Sequence, residues 1–201
     1  METNTQINDN LPEPEKRANW DIAFGLQKSD SLEPSRFAKS LADKHVEDQI
    51  SFPEFKKSLD DYYNDPSHPS IEREADLVAE AIYEILATPG FHFSLDTLKD
   101  YHRQMFQELD PNFFHPGEFR TVSLTKKETV LGGASIALPD PATIESTLIE
   151  AFNAESKLNY LGLSRADRAV NLAGFASRIW RPQHSSFDDN RKLLPKKEEN
   201  V

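Results

Sequence analysis

Apolar side chains in this chain recur at intervals of three and four residues, and that spacing restricts it to helical packing over most of its length. An α-helix repeats every 3.6 residues, so such spacing gathers the apolar groups into a stripe that must be buried. The run from Ile71 carries Leu77, Ala81, Ile82, Ile85 and Leu86 on one face, and Pro89-Gly90 closes it. Shorter runs precede it: Trp20, Ala23 and Phe24, then Phe37, Leu41 and His45, then Phe52, Phe55, Leu59 and Tyr62. Others follow. Ser94 caps a helix presenting Leu95, Leu98, Tyr101 or His102, Met105 and Leu109, with His102 expected as a core histidine. Asp140-Pro141 opens a helix that buries Ile144, Leu148, Ala151 and Phe152. Ser164 with Asp167 opens another, with Ala166, Val170, Ala173, Ser177 and Trp180 on its core face. Only the stretch from Phe119 to Leu131 breaks the pattern. There Phe119, Val122 and Leu124, polar turn residues, and then Thr129, Val130 and Leu131 predict a short hairpin. The expected class is mainly α, a helical bundle with one β-hairpin, preceded by a small helical subdomain.

A chain of 201 residues can bury one ordinary core with a small appendage, so one compact unit is expected. Residues 1–17 are rich in proline, asparagine and charge, which predicts a flexible leader. Residues 18–64 form the helical subdomain, and a proline-rich spacer, Asn64 to Ser70, separates it from the rest. The net charge of -11 is spread along the chain, which argues against general nucleic-acid binding, where clustered lysine and arginine supply the affinity. No cysteine is present, so disulfides, thiolate metal sites and cysteine nucleophiles are excluded. With neither an apolar leader nor a stretch of membrane-spanning length, a soluble cytoplasmic protein without membrane partners is expected.

Chemistry concentrates between Ser177 and Arg191, SRIWRPQHSSFDDNR, at the end of a buried helical pattern. A histidine is the natural base near neutral pH, and carboxylates, an amide and an arginine suit a cation and phosphate oxygens. Upstream lies PGEFRTVSL, from Pro116 to Leu124. Together the two stretches resemble the Fic (Fido) family of nucleotidyl and phosphate transferases, usually protein AMPylases. Their signature is R-I-W-x-x-H-P-F-x-(D/E)-G-N-x-R. The resemblance implies a Fic domain over residues 70–191 that transfers AMP from ATP, with Mg2+, to a Ser, Thr or Tyr hydroxyl of a target protein. Carried over, His184 would deprotonate that hydroxyl, Asp188 or Asp189 would hold magnesium, Asn190 and Arg191 would bind phosphate oxygens, and Phe187 would anchor the loop. Phe119, Arg120, Thr121, Val122 and Ser123 would belong to the flap, an edge strand that holds the target's backbone by strand addition.

The segment from Asn19 to Ser51 resembles the antitoxin-like region fused in front of some Fic domains, or made as a separate partner. Alignment on Leu32-Glu33-Pro34 places Asp30 where the family's inhibitory glutamate pairs with the last motif arginine; an acidic cap or turn residue is the other reading. Two serines stand between His184 and Phe187 where the family has one proline, and Asp189 meets Asn190 without the intervening glycine. A phosphate-cradling turn needs a positive dihedral angle, which glycine adopts freely and aspartate does not. After Arg191 comes KLLPKKEENV, read as a disordered tail over residues 192–201 in place of the family's next buried helix, so the domain is expected to be C-terminally incomplete. AMP transfer is therefore expected to be impaired or absent. The alternative is a non-catalytic interaction or antitoxin-like regulatory module acting on another Fic protein. The abrupt divergence after Trp180 fits a displaced reading frame.

Overall fold

The computed structural model describes residues 7–8, 10–28, 32–68, 70–90, 93–128, 134–138, 140–158 and 161–180. It is mainly helical, and the chain divides into two compact units, Met1–Glu118 and Phe119–Val201. The first holds α1 (Glu13–Gln27), α2 (Arg36–Val46), α3 (Phe52–Asn64), α4 (Arg73–Ala87), α5 (Leu95–Phe106) and the single turn α6 (Pro111–Phe114). Local chemistry sets where these helices begin. The Ser35 hydroxyl accepts the Ala38 amide, and Ser51 and Glu54 form a reciprocal capping box at α3. At α5 the Ser94 hydroxyl accepts the Thr97 amide.

Helix α4 is the axis of this unit. Every residue from Ala75 to Tyr83 is buried, so α4 is enclosed rather than laid with one face on a core. Helices α1 and α5 both pack on it, while α2 packs on α1 and α3 on α2. At the centre Trp20 stacks on Tyr83, with ring centroids 4.3 Å apart, and meets Phe55 at a tilt, with centroids 4.6 Å apart. Phe52 lies 5.1 Å from Tyr83. The Trp20 indole N–H donates to His45 Nδ1 at 3.1 Å, so the polar edges of two fully enclosed rings satisfy each other.

This core corrects the division read from the sequence. Residues 18–64 are not a separate subdomain ahead of the spacer, because Trp20, Phe52 and Phe55 share one core with α4. Nor is the whole of residues 1–17 a leader. Helix α1 starts at Glu13, inside that stretch, with Glu13 and Glu15 in its first turn, where the helix dipole favours negative charge. Lys16 buries its aliphatic stem and carries its ammonium to Asp48 at 2.6 Å. Further upstream, the Asn8 amide donates to Ala87 O at 3.2 Å. Charge-rich composition concealed a segment that packs through lysine methylenes and a few apolar groups, Ile7 and Leu11 among them. The inward set read for α4 and α5 also shifts, since Leu86 and Leu98 are exposed.

The second unit holds strands β1 (Thr125–Glu128) and β2 (Ala134–Ala137) and helices α7 (Pro141–Ser156) and α8 (Arg165–Trp180). The strands pair antiparallel, Thr125 opposite Ala137 and Glu128 opposite Ala134, and a Leu138 N–H to Leu124 O bond of 2.9 Å extends the ladder. Asp140 caps α7 through the Ala142 amide, and Ser164 caps α8 through the Asp167 amide. Leu148 and Phe175 are buried, with Phe152 edge-on to Phe175 at 5.1 Å. The face read for α8 is corrected accordingly: Ala166 is exposed and Val170 is 70% exposed. Phe175 lies five positions beyond Val170, about 140° round the helix. The aromatic ring, with more apolar area to remove from water, decides which way α8 turns.

Candidate functional site

His184, Phe187, Asp188, Asp189, Asn190 and Arg191 lie outside the described residues, as does Asp30. What is described is the approach to them: α8 runs to Trp180, through the Arg178-Ile179-Trp180 that opens the signature. Among the described residues no group of three or more histidine, aspartate or glutamate side chains is arranged to hold a metal.

The upstream stretch PGEFR is described, and its start is held firmly. The Gly117 amide donates to His102 Nδ1 at 2.9 Å. Gly117 has φ +79°, which requires glycine at the turn, and a Cβ there would fall 2.8 Å from Nη2 of Arg103, whose flexible side chain would have to shift. Beyond it, Phe119 and Arg120 are half-buried, while Thr121, Val122 and Ser123 are exposed. None of these five stands in a strand; the paired segment starts later, at Thr125, which corrects the hairpin position read from the sequence. A local bond marks the offset. Arg120 Nη1 donates to Val122 O at 2.6 Å, and the chain bends at Val122 before the strand begins. Thr129, Val130 and Leu131 lie outside the described residues.

Sequence reasoning missed the densest buried polar group among the described residues. Asp76 accepts the Ser35 amide at 2.7 Å, the Ser35 hydroxyl at 2.6 Å and the Tyr63 hydroxyl at 2.6 Å. One carboxylate thereby joins the start of α2, the end of α3 and the first turn of α4. Burial pushes the Asp76 carboxyl above the usual aspartate range, with the three donors pulling the other way. Burial, reinforced by the carboxylate, also drives the Tyr63 phenol well above its ordinary value. One turn further on, Glu80 meets Lys56 Nζ at 2.6 Å, and Glu84 meets the same ammonium at 3.3 Å. Burial raises Glu80 against the pull of Lys56. Burial also works to lower Lys56, but the two carboxylates outweigh it and leave its pKa raised. Asp76, Glu80 and Glu84 repeat at four-residue spacing, an acidic stripe met by side chains of α3. In a helix so apolar elsewhere, that stripe was the available signal.

Between α4 and α5 a groove of about 260 Å³ is lined by Glu84, Thr88, Gly90, Thr97, Asp100 and Tyr101, among others. Its two carboxylates already have partners, Glu84 in Lys56 and Asp100 in Arg103. The Asp76 and Glu80 clusters are likewise satisfied from within, which makes them structural rather than poised for chemistry. Compared with protein-family models, curated proteins and solved structures, the chain finds no match.

Proposed function

We propose that this chain is a Fic-like protein adenylyltransferase whose transfer of AMP to a protein hydroxyl is impaired or lost. The observation that carries the reading is an order of features. PGEFR at residues 116–120 precedes a short antiparallel ladder, and two capped helices then lead to Arg178-Ile179-Trp180, directly before the His184 to Arg191 cluster. In this reading His184 is the base, Asp188 or Asp189 carries magnesium, and Asn190 and Arg191 take the phosphate oxygens of ATP. Phe119 to Ser123 adjoin the edge on which a target backbone docks. The sequence has no glycine before Asn190 for the turn on which the family's phosphate donors rely, and donors of that kind lower a transfer barrier by several kcal/mol.

An antitoxin acting in trans gains little support. Such a module would present α1, α2 and α3 to its partner from a core they share with α4, since Trp20 and Phe52 meet Tyr83.

Purified protein incubated with labelled ATP and magnesium, beside His184→Ala, tests the activity; labelling near background in both is expected. Strong labelling lost in His184→Ala would mean an intact transferase. The coding DNA tests the ancestry independently. The neighbouring reading frame past Arg181 is expected to spell an Ile-His-Pro-Phe or Ile-His-Pro-Leu stretch, and its absence removes the frame-displacement account.

A further inference from the structure

The turn at Pro116-Gly117 is fastened to α5 by an acceptor that a proton can remove. His102 is half-buried, and Nδ1 of its ring takes the Gly117 amide at 2.9 Å. That bond requires a lone pair on Nδ1, so the ring proton of the neutral form sits on Nε2. The ring is packed 4.8 Å from Phe106, which in turn stacks on Phe114 of α6 at 5.1 Å. His115 has φ +46° and its carbonyl accepts the Glu118 amide at 3.0 Å, so the turn holds two left-handed residues, His115 and Gly117. We propose that His102 is an acid-released clamp: neutral, it holds the Gly117 amide and fixes the turn ahead of Glu118, and on protonation at Nδ1 it lets that amide go.

Burial lowers the His102 pKa below the ordinary histidine value, which keeps the clamp closed at neutral pH. The charged groups nearest in the chain to the two partners are Arg103, whose guanidinium lies against Gly117, and Glu118, which follows Gly117 directly. Burial, rather than any of these charges, accounts for the shift. With Nδ1 protonated, two donors would point at each other. Arg103, packed against Gly117, adds positive charge beside them.

The test follows the Gly117 amide of the full-length 15N-labelled protein by NMR while the His102 ring is titrated. The Gly117 protection factor is expected to fall roughly tenfold, with a midpoint matching that of the His102 ring, the factor expected for one hydrogen bond. His102→Asn keeps an acceptor near the place of Nδ1 but cannot be protonated, so its Gly117 protection is expected to be independent of pH. His102→Phe has no acceptor and is expected to show low protection throughout. Protection that is unchanged while the His102 ring titrates, or that follows the His115 ring instead, overturns the proposal. So does a His102 ring that stays neutral until the chain unfolds. Should either variant fail to fold, the wild-type coincidence of midpoints decides alone.

Discussion

Trp20 lies flat against Tyr83, their rings 18° from parallel with centroids 4.3 Å apart, and so joins the first helix of the chain to the fourth. Trp20→Ala removes this plate and the donor to His45 together. The expected loss is about 3–5 kcal/mol, the usual range for a large buried aromatic, and a large part of the stability of a small domain. Chemical denaturation followed by far-UV circular dichroism measures it. Trp20→Phe should cost clearly less, and equal losses for the two would show that the ring area is not what matters.

Asp76→Ala leaves the Ser35 amide, the Ser35 hydroxyl and the Tyr63 hydroxyl without their acceptor. A buried donor left unmade costs about 1–3 kcal/mol, so a loss of at least that size is expected in a urea titration. Tyr63→Phe removes one donor and leaves the other two bonds standing, so it should cost less. A double-mutant cycle between the two positions that gives no coupling would count against the geometry described.

The same carboxyl gives a pH dependence of definite sign. Burial raises the folded-state pKa of Asp76 above its unfolded value of about 3.9, so folding favours the protonated form. Its contribution to stability is therefore fully present below the unfolded value and is lost as pH rises through the raised one. The stability of wild type relative to Asp76→Asn should accordingly improve as pH falls from neutral through the folded-state pKa. A difference that stays flat, or moves the other way, contradicts the assignment.

Gly117→Ala places a methyl group in the left-handed region and against the Arg103 guanidinium. The backbone part is worth about 1–2 kcal/mol, and the steric part is small because a flexible side chain can move aside. Adding Arg103→Ala should thus recover only a minor share of the loss, as read from denaturation midpoints. Full recovery would place the whole cost in the contact.

Asp30→Ala should leave labelling from ATP at background. On the proposed Fic-like reading, removing an inhibitory contact would not supply a phosphate-binding turn that lacks its glycine. A large rise in labelling on that substitution would identify Asp30 as an active brake and the turn as competent.

Helix starts were legible because caps are local: Ser94, Asp140 and Ser164 each act on an amide two or three residues away. The faces of helices were legible only where one stripe dominates, as with Phe52, Phe55 and Leu59. Helix α4 escaped that reasoning because its burial is set by how many neighbours surround it, which periodicity does not report. For the same reason Asp76 and Glu80, which would pass for a solvated face, lie at 1% and 5% exposure. The start of α1 was hidden by charge, and the core face of α8 by the rival pulls of Val170 and Phe175. Around the candidate site, the need for glycine at position 117 comes from its backbone angle, and it packs against Arg103, fourteen residues earlier, neither of which the letters PGEFR reveal.

The dependence of the first three helices on Tyr83 and Asp76 also sets an order of events during synthesis. When Asn64 has been made, Trp20 and Phe52 still lack Tyr83 and the Ser35 donors still lack Asp76, because α4 does not yet exist. The 23 residues from Asp65 to Ala87 take roughly one to five seconds at typical rates of translation. For that interval the nascent chain carries an apolar, aromatic surface with nothing to cover it. Chaperones that recognise exposed aromatic groups should therefore engage this chain early and release it once α4 has left the ribosome.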